Sequence, residues 1–112
     1  MKGEITLRQA QVLCYIHVHR HVTGESPTYP EMMDRFCYSG NETAPIRNLV
    51  RRLAKNGYIT TKKHIPRSVE PAGNWLIMCP AGVRRAWGIK LDGVVNPPEN
   101  WNTPKKLDPY NY

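Results

Sequence analysis

Three times within the first 45 residues a threonine stands where a helix has to begin. Thr6-Leu7-Arg8-Gln9 and Thr28-Tyr29-Pro30-Glu31 each place a Gln or Glu three residues after the threonine. Each hydroxyl can then accept from the third backbone N–H of the coming helix, while the longer side chain turns back to the threonine's own N–H. Thr43-Ala44-Pro45 opens a third helix in the same style, and both later starts carry a proline in the first turn, where its missing N–H costs nothing. The apolar stripe after each start sets the helix length. Val12, Leu13 and Ile16 form an apolar face that Gly24 stops, which predicts a helix over 7–21. Met32, Met33 and Phe36 make a shorter stripe ahead of the turn chemistry of Tyr38-Ser39-Gly40-Asn41, which predicts a helix ending near Cys37. In the third, Ile46, Leu49, Val50 and Leu53 face inward, leaving Arg47, Asn48, Arg51, Arg52 and Lys55 outside until Asn56-Gly57 closes it.

The chain then changes period. Tyr58 to Lys63 is β-rich and alternating, and Trp75 to Cys79 is a second run of that kind, so the two predict a hairpin with an irregular loop over 64–74. Pro80 to Trp87 reads as a brief fourth helix. From Asn96 onward four prolines in seventeen residues describe an extended tail whose Trp101, Tyr110 and Tyr112 are candidates for docking on a neighbouring surface or a protein partner. The organisation expected is a mainly α domain with a small β-hairpin over 1–95, and a Pro-rich tail over 96–112. Three helices, a hairpin and a short fourth helix in that order make a winged helix-turn-helix.

Charge points to the partner. The formal net charge is +7, and it is concentrated. Between Thr43 and Val69 stand seven Lys or Arg and no Asp or Glu, while the rest of the chain carries nine of each sign. An acid-free window that spans the third helix and the hairpin is an electrostatic footprint for a polyanion. Charge alone leaves structured RNA open beside duplex DNA.

The residues also carry a resemblance. Ile5-Thr6-Leu7-Arg8-Gln9 with Val12-Leu13 and Ile16, then Thr23-Gly24 with Pro27-Thr28 and Glu31, then Leu53-Ala54-Lys55-Asn56-Gly57-Tyr58-Ile59 together resemble the N-terminal DNA-binding domain of LexA-type repressors over about residues 5 to 60. The resemblance implies a bacterial or phage transcription regulator, a repressor, that binds double-stranded DNA through helix 3 in the major groove and a basic wing on the backbone. Three departures stand out. The turn after helix 2 is about two residues longer, Phe36-Cys37 replaces the usual Leu-Gly, and the outer face of helix 3 is basic where the family's is acidic. A C-terminal serine-lysine peptidase domain is not expected, so the self-cleavage and the dimerisation which that domain supplies do not carry over with the resemblance.

Position then assigns roles. Thr43, Ala44, Arg47, Asn48, Arg51, Arg52 and Lys55 on helix 3 are candidate DNA contacts, with Arg suited to guanine and Asn to adenine edges. Lys62, Lys63, His64 and Arg67 on the wing are candidates for phosphate or minor-groove contact, and Thr28 and Tyr29 for a phosphate at the start of helix 2. A homodimer on a palindromic site is the expected assembly. The alternative is a small phage-type winged-helix protein that inhibits or redirects an acidic or nucleic-acid-binding protein. His17 and His21 share a helix face from which His19 points away, so no metal site is expected. No nucleophile–base pair or glycine-rich phosphate loop is present, so neither enzyme activity nor a cofactor is expected. Cys14, Cys37 and Cys79 read as reduced, buried or half-buried thiols. The apolar runs fall short of the ~20 residues of a membrane span, and no signal-peptide core precedes the first helix. A cytoplasmic protein without membrane association is expected.

Overall fold

The computed structural model describes residues 5–36, 43–63 and 65–102. The turn after the second helix, Cys37, His64 and the tail's Tyr110 and Tyr112 lie outside the described residues. Helices α1 (Leu7–Thr23), α2 (Tyr29–Arg35) and α3 (Ala44–Lys55) follow in the predicted order. Both capping boxes form: the Thr6 hydroxyl accepts from Gln9 N–H at 3.1 Å while Gln9 Oε1 accepts from Thr6 N–H at 3.1 Å. Thr28 and Glu31 repeat the exchange at 3.3 and 2.8 Å. Gly24 ends α1 at φ +81°, left-handed as its position demands. Thr43 caps α3 by position only, since its hydroxyl makes no cap bond. That helix rests instead on Pro45 in its first turn and on burying Ile46, Val50 and Leu53.

The hairpin forms with a different returning strand. β1 (Ile59–Thr60) pairs antiparallel with β2 (Glu70–Pro71), Ile59 opposite Pro71 and Thr60 opposite Glu70. Pro71 is tolerated because each strand of a two-stranded sheet is an edge. The expectation of a strand over Trp75 to Cys79 is corrected, because Trp75–Met78 is a short helix, α4. An apolar run of five residues does not fix its own period, and here one face is enough. Trp75 is buried with its ring 5.1 Å from His17, while Ile77 stands exposed. Helix α5 (Ala81–Ala86) follows where the fourth helix is predicted. With three helices, a wing and these short additions the fold is a winged helix-turn-helix.

The C-terminal third completes the core. Helix α1 packs on α3, β2 and α5, and every residue from Gln9 to Ile16 is buried, with Val18 and His19. Trp75, Cys79, Val83, Trp87, Ile89 and Val95 join that core. The Trp87 ring lies 5.9 Å from Tyr15 and 6.5 Å from Phe36, with the Arg35 guanidinium 4.7 Å from its centroid. The chain makes one more pass: Trp101 packs half-buried against the core, its carbonyl accepts from Arg35 Nε at 2.7 Å, and Asn102 Oδ1 accepts from the Tyr15 hydroxyl at 3.0 Å. Burial, with the Glu31 charge nearby, pushes that hydroxyl up to about 12.

One glycine holds this pass in place. Gly88 sits at φ +69°, its carbonyl accepts from Asn96 N–H at 2.7 Å, and a Cβ there would run into the Asn96 carbonyl. A Gly88→Ala chain is therefore expected to lose roughly 2 kcal/mol of stability, from the left-handed backbone and the clash together. A urea midpoint unchanged from wild type would contradict this account of the turn.

Candidate nucleic-acid interface

The burial of Ile46, Val50 and Leu53 decides which way the rest of α3 looks. Arg47, Asn48, Arg51, Arg52 and Lys55 are all exposed, and Thr43 and Ala44 are half-buried at its start. Residues three and four apart share a helix face. Arg47 and Arg51 therefore stand one above the other, and Arg51 Nη1 donates to Asn48 Oδ1 at 3.4 Å. Across from them the hairpin brings Lys62 and Lys63, both exposed. Between α3, the start of α2 and the hairpin runs a cleft of about 750 Å³. Its floor is apolar, from Pro27, Val50, Ala54 and Val69, and Arg47, Arg51, Lys62, Lys63 and Arg67 also line it. None of the described residues lining it is acidic.

The hairpin is clamped at its root. Arg67 adopts φ +58°, rare for a side chain with a Cβ. Its guanidinium meets Glu31 at 2.9 Å and Glu25 at 3.8 Å, and donates to the Ser26 carbonyl at 3.0 Å. The Ser26 hydroxyl in turn donates to the Val69 carbonyl, and Arg20 reaches Glu70 at 3.5 Å. Burial alone would raise the Glu31 carboxyl; the Thr28 N–H and hydroxyl, with Arg67 and His19 beside them, outweigh it and hold the group below its usual range. The charge of Arg67 is thus already matched within the fold, while those of Lys62 and Lys63 are directed outward. Thr28 gives its hydroxyl to the cap, donating to Glu31 Oε1 at 3.0 Å, and Tyr29 sits half-buried at the edge of the cleft. Sequence reasoning could find Glu31 as a cap but not as the partner of a residue 36 positions later.

His17 and His19 of α1 serve packing. Nε2 of His17 donates to the Gly93 carbonyl at 3.1 Å, and Nδ1 of His19 to that of Glu25 at 2.7 Å. Burial lowers the proton affinity of His17.

A family model described as the LexA DNA binding domain matches residues 1–68, which include α1, α2, α3, β1 and the clamp residues from Arg20 to Arg67. The chain belongs to that family. No curated protein and no solved structure matches the chain. As a LexA-type DNA-binding domain it is a DNA-binding transcription regulator, and its partner is double-stranded DNA. The part of this LexA-type chain that lies beyond the match, residues 69–112, includes β2, α4 and α5. Among the described residues no helix is long and apolar enough to cross a membrane.

Proposed function

We propose that the chain is a repressor that lays α3 in the major groove of an operator and sets the hairpin wing on the flanking backbone. The observation that carries this reading is the cleft: two arginines of α3 face two lysines of the wing, and no acidic side chain among the described residues interrupts them. Arg47, Asn48 and Arg51, with Ala44 at the entry of the helix, reach base edges, since Arg suits guanine and Asn suits adenine. Arg52, Lys55, Lys62 and Lys63 take phosphates and fix the register. Arg67 and Glu31 hold the wing at the angle this requires. Occupying a promoter-proximal site is enough to repress. A single module of this size buries little DNA surface, so two copies on a palindromic site are the working unit.

Binding to random duplex DNA over a salt titration, followed by selection of preferred sequences, tests the reading. With four phosphate contacts per copy the affinity of each copy is expected to fall roughly 10²-fold between 50 and 200 mM salt. The selected pool should show an inverted repeat. Absence of duplex binding at the lowest salt would overturn the proposal and leave a protein partner as the target of the basic face.

A further inference from the structure

Two of the three thiols meet inside the core. Cys14, in the middle of α1, and Cys79, between α4 and α5, have their sulfurs 3.8 Å apart, one hydrogen-bonded to the other. We propose that this pair is an oxidation site, closed by a hydroperoxide into a disulfide that staples the C-terminal segment to the LexA-type domain.

The geometry demands little movement. A disulfide spans about 2.0 Å, so the sulfurs must approach by less than about 2 Å, within reach of small side-chain rotations. The backbone around Cys79 is held: its N–H donates to the Trp75 carbonyl at 2.9 Å, and its carbonyl accepts from Arg84 Nε at 3.2 Å. The two sulfurs differ in character. The hydrogen bond from Cys14 and the nearby Arg84 charge outweigh burial and draw the Cys79 thiol below the ordinary range, while burial pushes Cys14 well above it. Cys79, the more accessible of the two sulfurs, is therefore the attacking thiolate and Cys14 the waiting thiol. The Cys79 thiolate attacks one peroxide oxygen, the O–O bond breaks, hydroxide or alkoxide leaves, and a sulfenic acid forms. The Cys14 sulfur then attacks that sulfur, the S–O bond breaks, and water departs with the Cys14 proton as the S–S bond closes. The thiol pair supplies the two electrons that reduce the peroxide. Cys79 is 3% exposed and Cys14 fully buried, which selects a small oxidant and shields the product from bulky thiols.

The link joins a residue inside the family match to one beyond it and closes a long loop, which constrains the unfolded chain. Treating the full chain with hydrogen peroxide, in parallel with free glutathione as a reference thiol, tests this. Non-reducing peptide mapping of the monomer should show a Cys14–Cys79 peptide that dithiothreitol removes. The oxidised protein should unfold several degrees higher than the reduced one. A Cys14→Ser chain should instead carry a sulfenic acid at Cys79, trapped by a dimedone probe. The proposal is overturned if both thiols survive doses that consume glutathione, if the bond involves Cys37 or a second chain, or if the oxidised protein melts no higher.

Discussion

An R47E/R51E chain is expected to bind duplex DNA at least about a hundredfold more weakly than wild type while melting at the wild-type temperature. Both side chains are exposed on α3 and line the cleft, so neither contributes to the core. A well-placed guanidinium is worth about 1–3 kcal/mol at its base, so two together are worth about 2–6 kcal/mol, against the roughly 2.7 kcal/mol that a hundredfold requires. Reversal also adds repulsion from the phosphates, which carries even the low end of that sum to a hundredfold. Fluorescence anisotropy on a selected operator at one fixed salt concentration reads the affinity, and a circular-dichroism melt reads the fold. An affinity within a few-fold of wild type would remove α3 from the groove and force another placement of the reading element.

Trp87→Ala should be the most damaging single truncation in the core, costing about 3–5 kcal/mol. Its ring is 1% exposed and lies among Tyr15, Phe36 and the Arg35 guanidinium, so removing it opens a cavity bordered by α1 and the end of α2. Small domains hold about 5–15 kcal/mol in total, so this one change takes a large share. Urea unfolding followed by far-ultraviolet circular dichroism gives the difference. A loss below about 1 kcal/mol would mean that the C-terminal segment rests loosely on α1, contrary to the packing described.

Much of this architecture is written locally. The threonines at 6 and 28, with their Gln and Glu partners, mark two helix starts because a capping box is complete within four residues. The stripe of Ile46, Val50 and Leu53 fixes which face of α3 is basic before any tertiary contact is known. The wing's returning strand is not legible in this way. Glu70 and Pro71 lack strand chemistry and are placed by β1 and by the Ser26 and Arg20 contacts to their neighbourhood. Trp75 to Cys79 has more of a strand's composition, yet its single buried tryptophan serves a helix equally well. Lys62 and Lys63 are legible as basic wing residues from charge alone. The hold of Glu31 and Glu25 on Arg67 is not, because such pairings join distant positions that share no periodicity.

Helix α1 is the first of the described elements and depends on the last of them. Its residues 14, 15 and 17 find partners at 79, 102 and 93, which lie 65, 87 and 76 positions away. Contacts of such span are slow to form, since the intervening chain must be gathered before they reward it. During synthesis the order is stricter still. Gln9 to Ile16 emerge early, while the last part of their covering surface leaves the ribosome only when residues near 102 do, so until then this apolar helix is only partly covered. The waiting time, and with it the exposure to aggregation and to chaperones, is set by how quickly the stretch from α4 to residue 102 is made.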